Sequence, residues 1–219
     1  MEIDRDLVRH LRDRYAENPR VEVIEGDALE TDWGALAGPS FLLAGNLPYY
    51  ITTPLIFRIL ERPRPRRAVL LVQREVAARL VAEPDSGEFG ALTVNVQVSA
   101  SVRIVARVSA GSFHPRPSVD SAIVLLTPLT PLDRPLLGAD EEAPFRRFVQ
   151  ASFGMRRKQL VRVLREIRHL DAGQALRLLS ALGLDPAARP EVLRPVEFVH
   201  LFRALVDNTE PPRTERTAG

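Results

Sequence analysis

Residues 41–50 read Phe-Leu-Leu-Ala-Gly-Asn-Leu-Pro-Tyr-Tyr, an apolar run that ends in a polar corner containing a proline. Such a run predicts a buried, central strand of a parallel sheet, and ligands of these sheets bind just beyond the carboxyl ends of the strands. Asn46 and Tyr49 would lie there. Because Pro48 fixes its own φ and favours an extended Leu47, the backbone carbonyls beside Asn46 should point outward. This corner is the predicted reaction centre.

The corner combines an amide oxygen, a backbone carbonyl and an aromatic face, a set that suits an amine on a flat ring. The exocyclic amine of adenine is a weak nucleophile because its lone pair is delocalised into the ring. Two acceptors, the Asn46 side chain and the Leu47 carbonyl, would favour tetrahedral geometry at that nitrogen. Tyr49 could stack on the base, which is worth about 1–3 kcal/mol in single-strand binders. Taken alone, Asn-x-Pro-Tyr also fits a capped turn above a core tyrosine.

Composition narrows the class of protein. The chain has 219 residues, of which 45% are hydrophobic, as expected for one or two globular domains. It has no cysteine, which excludes disulfides and thiolate metal sites and agrees with a cytoplasmic location. The four histidines are scattered without ligand spacing, so we expect no metal. No segment has the pattern of a signal peptide or a membrane span, so no membrane partner is expected.

The amino-terminal part alternates between strand and helix patterns. Glu2 lies in a segment like the end of a strand, a helix is predicted from about residue 5 to 17, and residues 21–24 form the next predicted strand. This alternation predicts a doubly wound α/β sheet. Glu2, Asp27 and Asn46 would then end successive strands and line one crevice. A carboxylate at such a position can bind both ribose hydroxyls of a nucleotide-type cofactor, although each acid alone also fits a solvated turn.

The middle of the chain continues the sheet. Thr52 is predicted to cap a helix that runs to about Leu60, and the basic loop at residues 62–67 is either solvated or in contact with RNA phosphate. Residues 90–101 are ambiguous between a strand, which their β-branched side chains favour, and a helix. Two later segments, 102–108 and 121–127, are predicted to pair as antiparallel strands. The loop between them contains Phe113, and its two prolines, Pro115 and Pro117, would hold that ring in place at little entropic cost.

The carboxyl-terminal third has a helical pattern after a proline-containing linker at residues 127–142. Between residues 146 and 168 there are eight basic residues and one acid, a local net charge of +7. Such a surface would bind RNA phosphates, with an affinity that depends steeply on salt, or would be a solvated helix face. The tail, 208–219, has a disordered composition. The predicted RNA-binding residues, which include an Arg-Arg-Lys segment placed on a helix, are Arg156, Arg157, Lys158, Arg162 and Arg165.

Five segments carry a resemblance to one family: Glu2-Ile3-Asp4, Gly26-Asp27-Ala28-Leu29, Asn46-Leu47-Pro48-Tyr49, Val72-Gln73-Arg74-Glu75-Val76 and Phe113-His-Pro115-Arg-Pro117-Ser-Val119-Asp120-Ser121. In order and spacing they resemble the ribosomal RNA adenine dimethyltransferases, most closely the bacterial small-subunit enzymes, over residues 1 to about 205. The resemblance implies a Rossmann-like methyltransferase domain at 1–130 and a small, all-helical rRNA-binding domain at 140–207. It implies dimethylation of two adjacent adenosines near the 3′ end of 16S rRNA, within an assembling 30S particle. We expect the protein to be a monomer.

The resemblance also assigns residues. It implies that S-adenosylmethionine is the methyl donor, and that Phe113 stacks on the target base opposite Tyr49. The catalytic set is then Asn46, Leu47, Pro48, Tyr49 and Phe113, and the donor-binding set is Glu2, Ile3, Asp27, Ala28 and Asn46. The family's first strand, with its glycine-rich donor loop, has no counterpart before Glu2, so we expect weak donor binding and a sheet that lacks one strand. Two alternatives stay open: a large-subunit adenine methyltransferase of the macrolide-resistance type, and a non-catalytic assembly factor that binds rRNA.

Overall fold

The computed structural model describes residues 1–130 and 137–207, and its centre is a mixed four-stranded sheet. The strand order is β1-β2-β4-β3; β1 and β2 are parallel, and the other two pairs are antiparallel. The carboxyl ends of β1 and β2 therefore lie beside the start of β4 and the end of β3, an edge that we call the upper edge. The opposite edge is the lower edge. The strands are β1 Leu42–Asn46, β2 Arg67–Gln73, β3 Ala100–Val108 and β4 Ser121–Pro128.

Helices pack on the sheet and, with one short 3-10 turn, make up the secondary structure of residues 137–207. Within the described residues, none of them is long and apolar enough to cross a membrane. Short 3-10 turns occur at Tyr49–Ile51, Ala110–Ser112 and Pro190–Val192. The α-helices are α1 Arg5–Tyr15, α2 Trp33–Ala37, α3 Thr52–Leu60, α4 Arg74–Leu80, α5 Ala91–Gln97, α6 Ala139–Gly154, α7 Leu160–Arg168, α8 Ala172–Ala181 and α9 Pro195–Asp207.

Two hydrophobic cores hold these elements together. The first packs α3 and α4 on the sheet, with Ile56 and Leu70 fully buried. The second lies among α6 to α9 and includes Phe145 and Phe198. Burial of one such side chain stabilises the fold by about 1.5–3 kcal/mol. Helix α5 contributes to both cores, so it joins the sheet to the helical part.

The structure settles the ambiguous stretch at residues 90–101 as helix α5 followed by the start of β3. Four consecutive side chains of α5, Thr93 to Val96, are buried, which explains the β-branched composition: the helix is covered on several sides. The Thr93 hydroxyl donates to the Arg79 carbonyl (2.7 Å) and accepts from the Gly90 N–H (3.1 Å). The predicted antiparallel pairing of the two later segments is confirmed as β3 and β4.

The prediction that residues 41–46 form a buried, central strand was wrong. In the described part of the chain β1 pairs with β2 alone and lies at the end of the sheet. One of its faces is uncovered, since Leu42 is 70% exposed, as is Val69 of the neighbouring strand at 42%. An apolar run indicates that a segment can be buried, but here alternate residues of the strand are only half-buried and the others are exposed.

The strand predicted at residues 21–24 is reduced to a single parallel bridge between Glu2 and Glu25. The Glu2 N–H donates to the Ile24 carbonyl, and the Gly26 N–H donates to the Glu2 carbonyl, both at 3.0 Å. Asp4 then accepts from the first N–H groups of α1, which ends the extended segment after one ladder step.

The linker is shorter than predicted. Strand β4 extends to Pro128 and α6 begins at Ala139. Residues 131–136 and the predicted tail at 208–219 lie outside the described residues.

Candidate active site

A cleft of about 300 Å³ opens at the upper edge of the sheet. One wall is the polar corner after β1, and the other is the proline loop between β3 and β4. Seven of the described residues line it: Asn46, Leu47, Pro48, Tyr49, Phe113, Pro115 and Pro117. All five residues predicted to act on the target base therefore share one cavity, although the two walls are more than sixty residues apart in sequence.

The corner is held by hydrogen bonds of its own backbone. The Leu47 N–H donates to the Leu71 carbonyl of β2 (3.1 Å), which continues the parallel ladder one residue beyond β1. The Pro48 carbonyl accepts from the Ile51 N–H (3.2 Å) and from the Thr52 hydroxyl (3.0 Å). Thr52 is 2% exposed and does not cap α3 as predicted, because its hydroxyl is used in this bond. The Pro48 carbonyl is thus engaged, and the side chain of Asn46 stays exposed to the cleft.

Tyr49 is oriented by a residue that the sequence analysis did not single out. Its hydroxyl lies 2.8 Å from the Ser121 hydroxyl, where either oxygen can be the donor. Ser121 is completely buried at the start of β4. The pair links the polar corner to the start of β4, directly after the proline loop. Ser121 ends the proline-loop motif in the sequence, which was the available signal, but nothing local indicates its contact with a residue 72 positions away.

The proline loop is anchored at both ends. The Asp120 carboxylate accepts from the Ala110 N–H (3.0 Å), and the Asp120 carbonyl accepts from the Arg74 N–H (3.0 Å). The Phe113 N–H donates to the Ala110 carbonyl (3.3 Å), which closes the short turn before the ring. Phe113 is half-buried, so one part of its ring packs on the protein and another part borders the cleft.

The residues predicted to bind the donor lie in two places. Glu2 and the turn at Asp27 are neighbours through the Glu2–Glu25 bridge, whereas Asn46 lies in the cleft with Phe113. In the part of the chain that is described, this bridge is separate from the four-stranded sheet. Strand pairing therefore does not bring Glu2, Asp27 and Asn46 together in one crevice as had been predicted.

Both carboxylates keep acceptor capacity. One oxygen of Glu2 accepts from the N–H groups of Ile3 (2.9 Å) and Asp4 (3.0 Å), and one oxygen of Asp27 accepts from the Leu29 N–H (2.8 Å). The second oxygen of each can accept from a ligand hydroxyl or amine. Next to them, Ile3 is 63% exposed, and the Ala28 carbonyl accepts from the Trp33 indole (2.9 Å). These remaining oxygens are acceptors of the kind that ribose hydroxyls or an adenine amine require.

The basic cluster in the helical part differs from its prediction. Arg156, Arg157 and Lys158 lie in the turn between α6 and α7, not on a helix. The chain leaves α6 after Gly154, and the N–H groups of Arg156 and Lys158 bond to carbonyls three residues earlier, so the turn replaces helical pairing. All three side chains are exposed, but Arg156 forms an ion pair with Glu191. Arg162 is paired with Glu166 at 3.8 Å.

The profile of the family described as "Ribosomal RNA adenine dimethylase" matches residues 1–205. The chain belongs to the ribosomal RNA adenine dimethylase family. This dimethylase is 40% identical to "Ribosomal RNA small subunit methyltransferase A" of Myxococcus xanthus (strain DK1622) over 208 residues, covering 94% of this chain and 72% of the relative. It is 41% identical to the protein of the same description in Geobacter sulfurreducens, covering 94% and 76%.

Solved structures agree with the assignment of this dimethylase to the Rossmann-like rRNA methyltransferases. A dimethyladenosine transferase from Plasmodium falciparum superposes with a TM-score of 0.74 at 26% identity, covering 91% of this chain and 78% of that one. The 23S rRNA methyltransferase ErmE superposes with a TM-score of 0.66 at 26% identity, covering 94% and 80%. The predicted family and fold class are confirmed.

Proposed function

We propose that the protein transfers methyl groups from S-adenosylmethionine to the exocyclic amines of two adjacent adenosines near the 3′ end of 16S rRNA. The observation that carries this proposal is the cleft in which the Asn46–Tyr49 corner faces Phe113. The relatives described as small-subunit methyltransferases favour 16S rRNA over the large-subunit alternative.

In this proposal the two walls hold the target base between aromatic rings. Tyr49 stacks on one face and Phe113 on the other, which offsets the few kcal/mol that a base loses when it leaves its own stack. The Asn46 amide oxygen and the Leu47 carbonyl accept from the two N–H groups of the amine, while Pro48 keeps the corner rigid. When both N–H groups donate to these two acceptors, the nitrogen lone pair points out of the ring plane, toward the donor methyl group. Positioning and exclusion of water supply the catalysis. As the N–C bond forms, the S–C bond would break and the donor would leave as a neutral thioether. The methylated nitrogen would lose its proton to solvent after the transfer, so no general base is required.

The donor would be held by the amino-terminal carboxylates. Glu2 would accept from the ribose hydroxyls and Asp27 from the amine of the donor adenine, with Ile3 and Ala28 beside that ring. S-adenosylmethionine supplies an electrophilic methyl group on its sulfonium. Asn46 borders both ligands in this arrangement.

The helical part would bind the rRNA. We propose that residues 1–130 form the methyltransferase domain and residues 140–207 the rRNA-binding domain. Arg157, Lys158 and Arg165 are exposed, and within the described chain no carboxylate lies within ion-pair distance of them. Arg156 and Arg162 would exchange their carboxylate partners for phosphate. The substrate would be an assembling 30S particle in the cytoplasm, bound by a monomer of the protein.

Substitution at the cleft tests the proposal. We expect Asn46→Ala and Phe113→Ala to reduce methyl transfer to unmethylated 16S rRNA by about 100-fold or more, since each removes a group that positions the reacting base. The affinity for rRNA, measured by filter binding, should change less than threefold because phosphate contacts dominate it. Tyr50→Ala is a matched control, since Tyr50 is adjacent but 84% exposed and does not line the cleft. Equal loss of binding and transfer would contradict the assigned roles.

A further inference from the structure

A second, larger cleft lies at the lower edge of the sheet, opposite the candidate active site. Its volume is about 750 Å³, and it is formed by the start of β1 and β2, the end of β4 and the loop before β2. Among the described residues that line it, four are arginines and none is acidic. The arginines are Arg62, Arg64, Arg66 and Arg67.

Two of the four arginines, Arg62 and Arg64, have a structural role. Arg62 and Arg64 both donate to the Glu142 carboxylate of α6, at 3.2 Å and 2.7 Å. The side chains of Arg64 and Glu142 are only 11% and 17% exposed. Burial lowers the pKa of the Arg64 guanidinium, and the charge of Glu142 opposes that shift. This pair ties the loop to the helical part and fixes the floor of the cleft.

The other two arginines are exposed and available. Within residues 1–130 and 137–207, no carboxylate lies within ion-pair distance of Arg66 or Arg67. Their backbone is nevertheless fixed: the Arg66 N–H donates to the Phe41 carbonyl (2.7 Å), and Arg67 is paired with Leu42 in the sheet. Pro63 and Pro65 stiffen the preceding loop. Two guanidinium groups are thus presented from a rigid backbone, with little entropy left to lose on binding.

We propose that this arginine cleft binds the sugar-phosphate backbone of the folded rRNA substrate, at a place separate from the target base. The inference rests on the proposed function, since that function supplies the polyanion. A planar guanidinium matches two phosphate oxygens, and arginine is the better residue for that bidentate contact. Strand β2 connects the two edges and has seven residues, so about 20 Å separates the cleft from the base-binding corner. The substrate therefore contacts both edges of the sheet.

The test is the salt dependence of binding to unmethylated 16S rRNA transcribed in vitro. Each lost phosphate contact lowers the slope of log affinity against log salt by about 0.7–0.9. We expect Arg66→Gln/Arg67→Gln to flatten the slope by about 1.5 and to weaken binding roughly tenfold. Arg66→Lys/Arg67→Lys keeps both charges and should retain nearly the whole slope. Thermal melting of each variant reports whether the fold is intact.

A charge-matched control separates the cleft from the general charge of the protein. Arg20→Gln/Arg103→Gln removes two exposed arginines that lie outside both the cleft and the helical part and have no ion-pair partner in the described residues. The slope of log affinity against log salt in this control should change by less than half of the change in Arg66→Gln/Arg67→Gln. Unchanged affinity and slope in Arg66→Gln/Arg67→Gln would show that the arginine cleft is not an RNA site. An acidic protein partner would then be favoured. Methyl transfer by the wild-type protein, measured in parallel, reports on the proposed function independently.

Discussion

The hydrogen bond between Tyr49 and Ser121 should govern both stability and turnover. Because Ser121 is completely buried, Tyr49→Phe leaves the Ser121 hydroxyl without a partner. This should lower the free energy of unfolding by about 2 kcal/mol. Ser121→Ala leaves the Tyr49 hydroxyl, which is half-buried and can bind water in part, so its cost is about 1 kcal/mol. The double variant removes both hydroxyls and should cost less than the two single costs combined, by about 1–2 kcal/mol.

The same pair should affect catalysis through the position of the ring. Loss of about 1 kcal/mol of positioning energy lowers the rate about fivefold, so each single variant should reduce kcat for methyl transfer by about that factor. The double variant should be no slower than the slower single variant. Urea unfolding and single-turnover methylation measure the two effects, and Tyr50→Phe is a control that changes an exposed tyrosine. Additive effects of the two substitutions, within about 0.5 kcal/mol, would refute the contact as the cause.

Two further predictions concern the helical part. Arg157→Glu/Lys158→Glu should weaken rRNA binding and flatten its salt dependence by about 1.5 or more, as filter binding across a salt series would show; an unchanged slope would contradict this role. The Glu141 carboxylate accepts two bonds from the Arg203 guanidinium, at 2.8 Å and 2.7 Å, and these bonds lower the pKa of Glu141 below its ordinary value of 4.5. Because the folded pKa is the lower one, this stabilisation is present above pH 4.5 and is lost as the pH falls further. Glu141→Gln should therefore reduce the acid dependence of urea unfolding below that pH, and an unaltered profile would contradict it.

The sequence predicted the corner well because its determinants are local. Asn46 to Tyr49 are consecutive, and the proline restricts the backbone wherever the segment lies. The position of β1 at the end of the sheet was not predictable in this way, since an apolar run does not report how many strands pair with it. Likewise, the β-branched residues of α5 resemble a strand until the helix is seen to be buried between two cores.

Contacts between residues that are far apart in the sequence could not be predicted either. The bond from Tyr49 to Ser121 joins residues 72 positions apart, and no pattern in either segment specifies the other. The Arg-Arg-Lys segment has helical composition, but the chain turns after Gly154, where the N–H groups of Arg156 and Lys158 bond to carbonyls three residues earlier. The basic residues could be identified from the sequence, whereas the pairing of Arg156 with Glu191 could not.

The central claim is that the protein forms dimethyladenosine at two adjacent positions of 16S rRNA. The direct measurement incubates the protein with unmethylated 16S rRNA, free and in 30S particles, together with isotopically labelled S-adenosylmethionine, and then analyses nuclease fragments by mass spectrometry. The account predicts two dimethylated adenosines in one fragment near the 3′ end, and none after Asn46→Ala. Label confined to large-subunit rRNA in a parallel reaction, or absent from both rRNAs while binding to 16S rRNA persists, would contradict it.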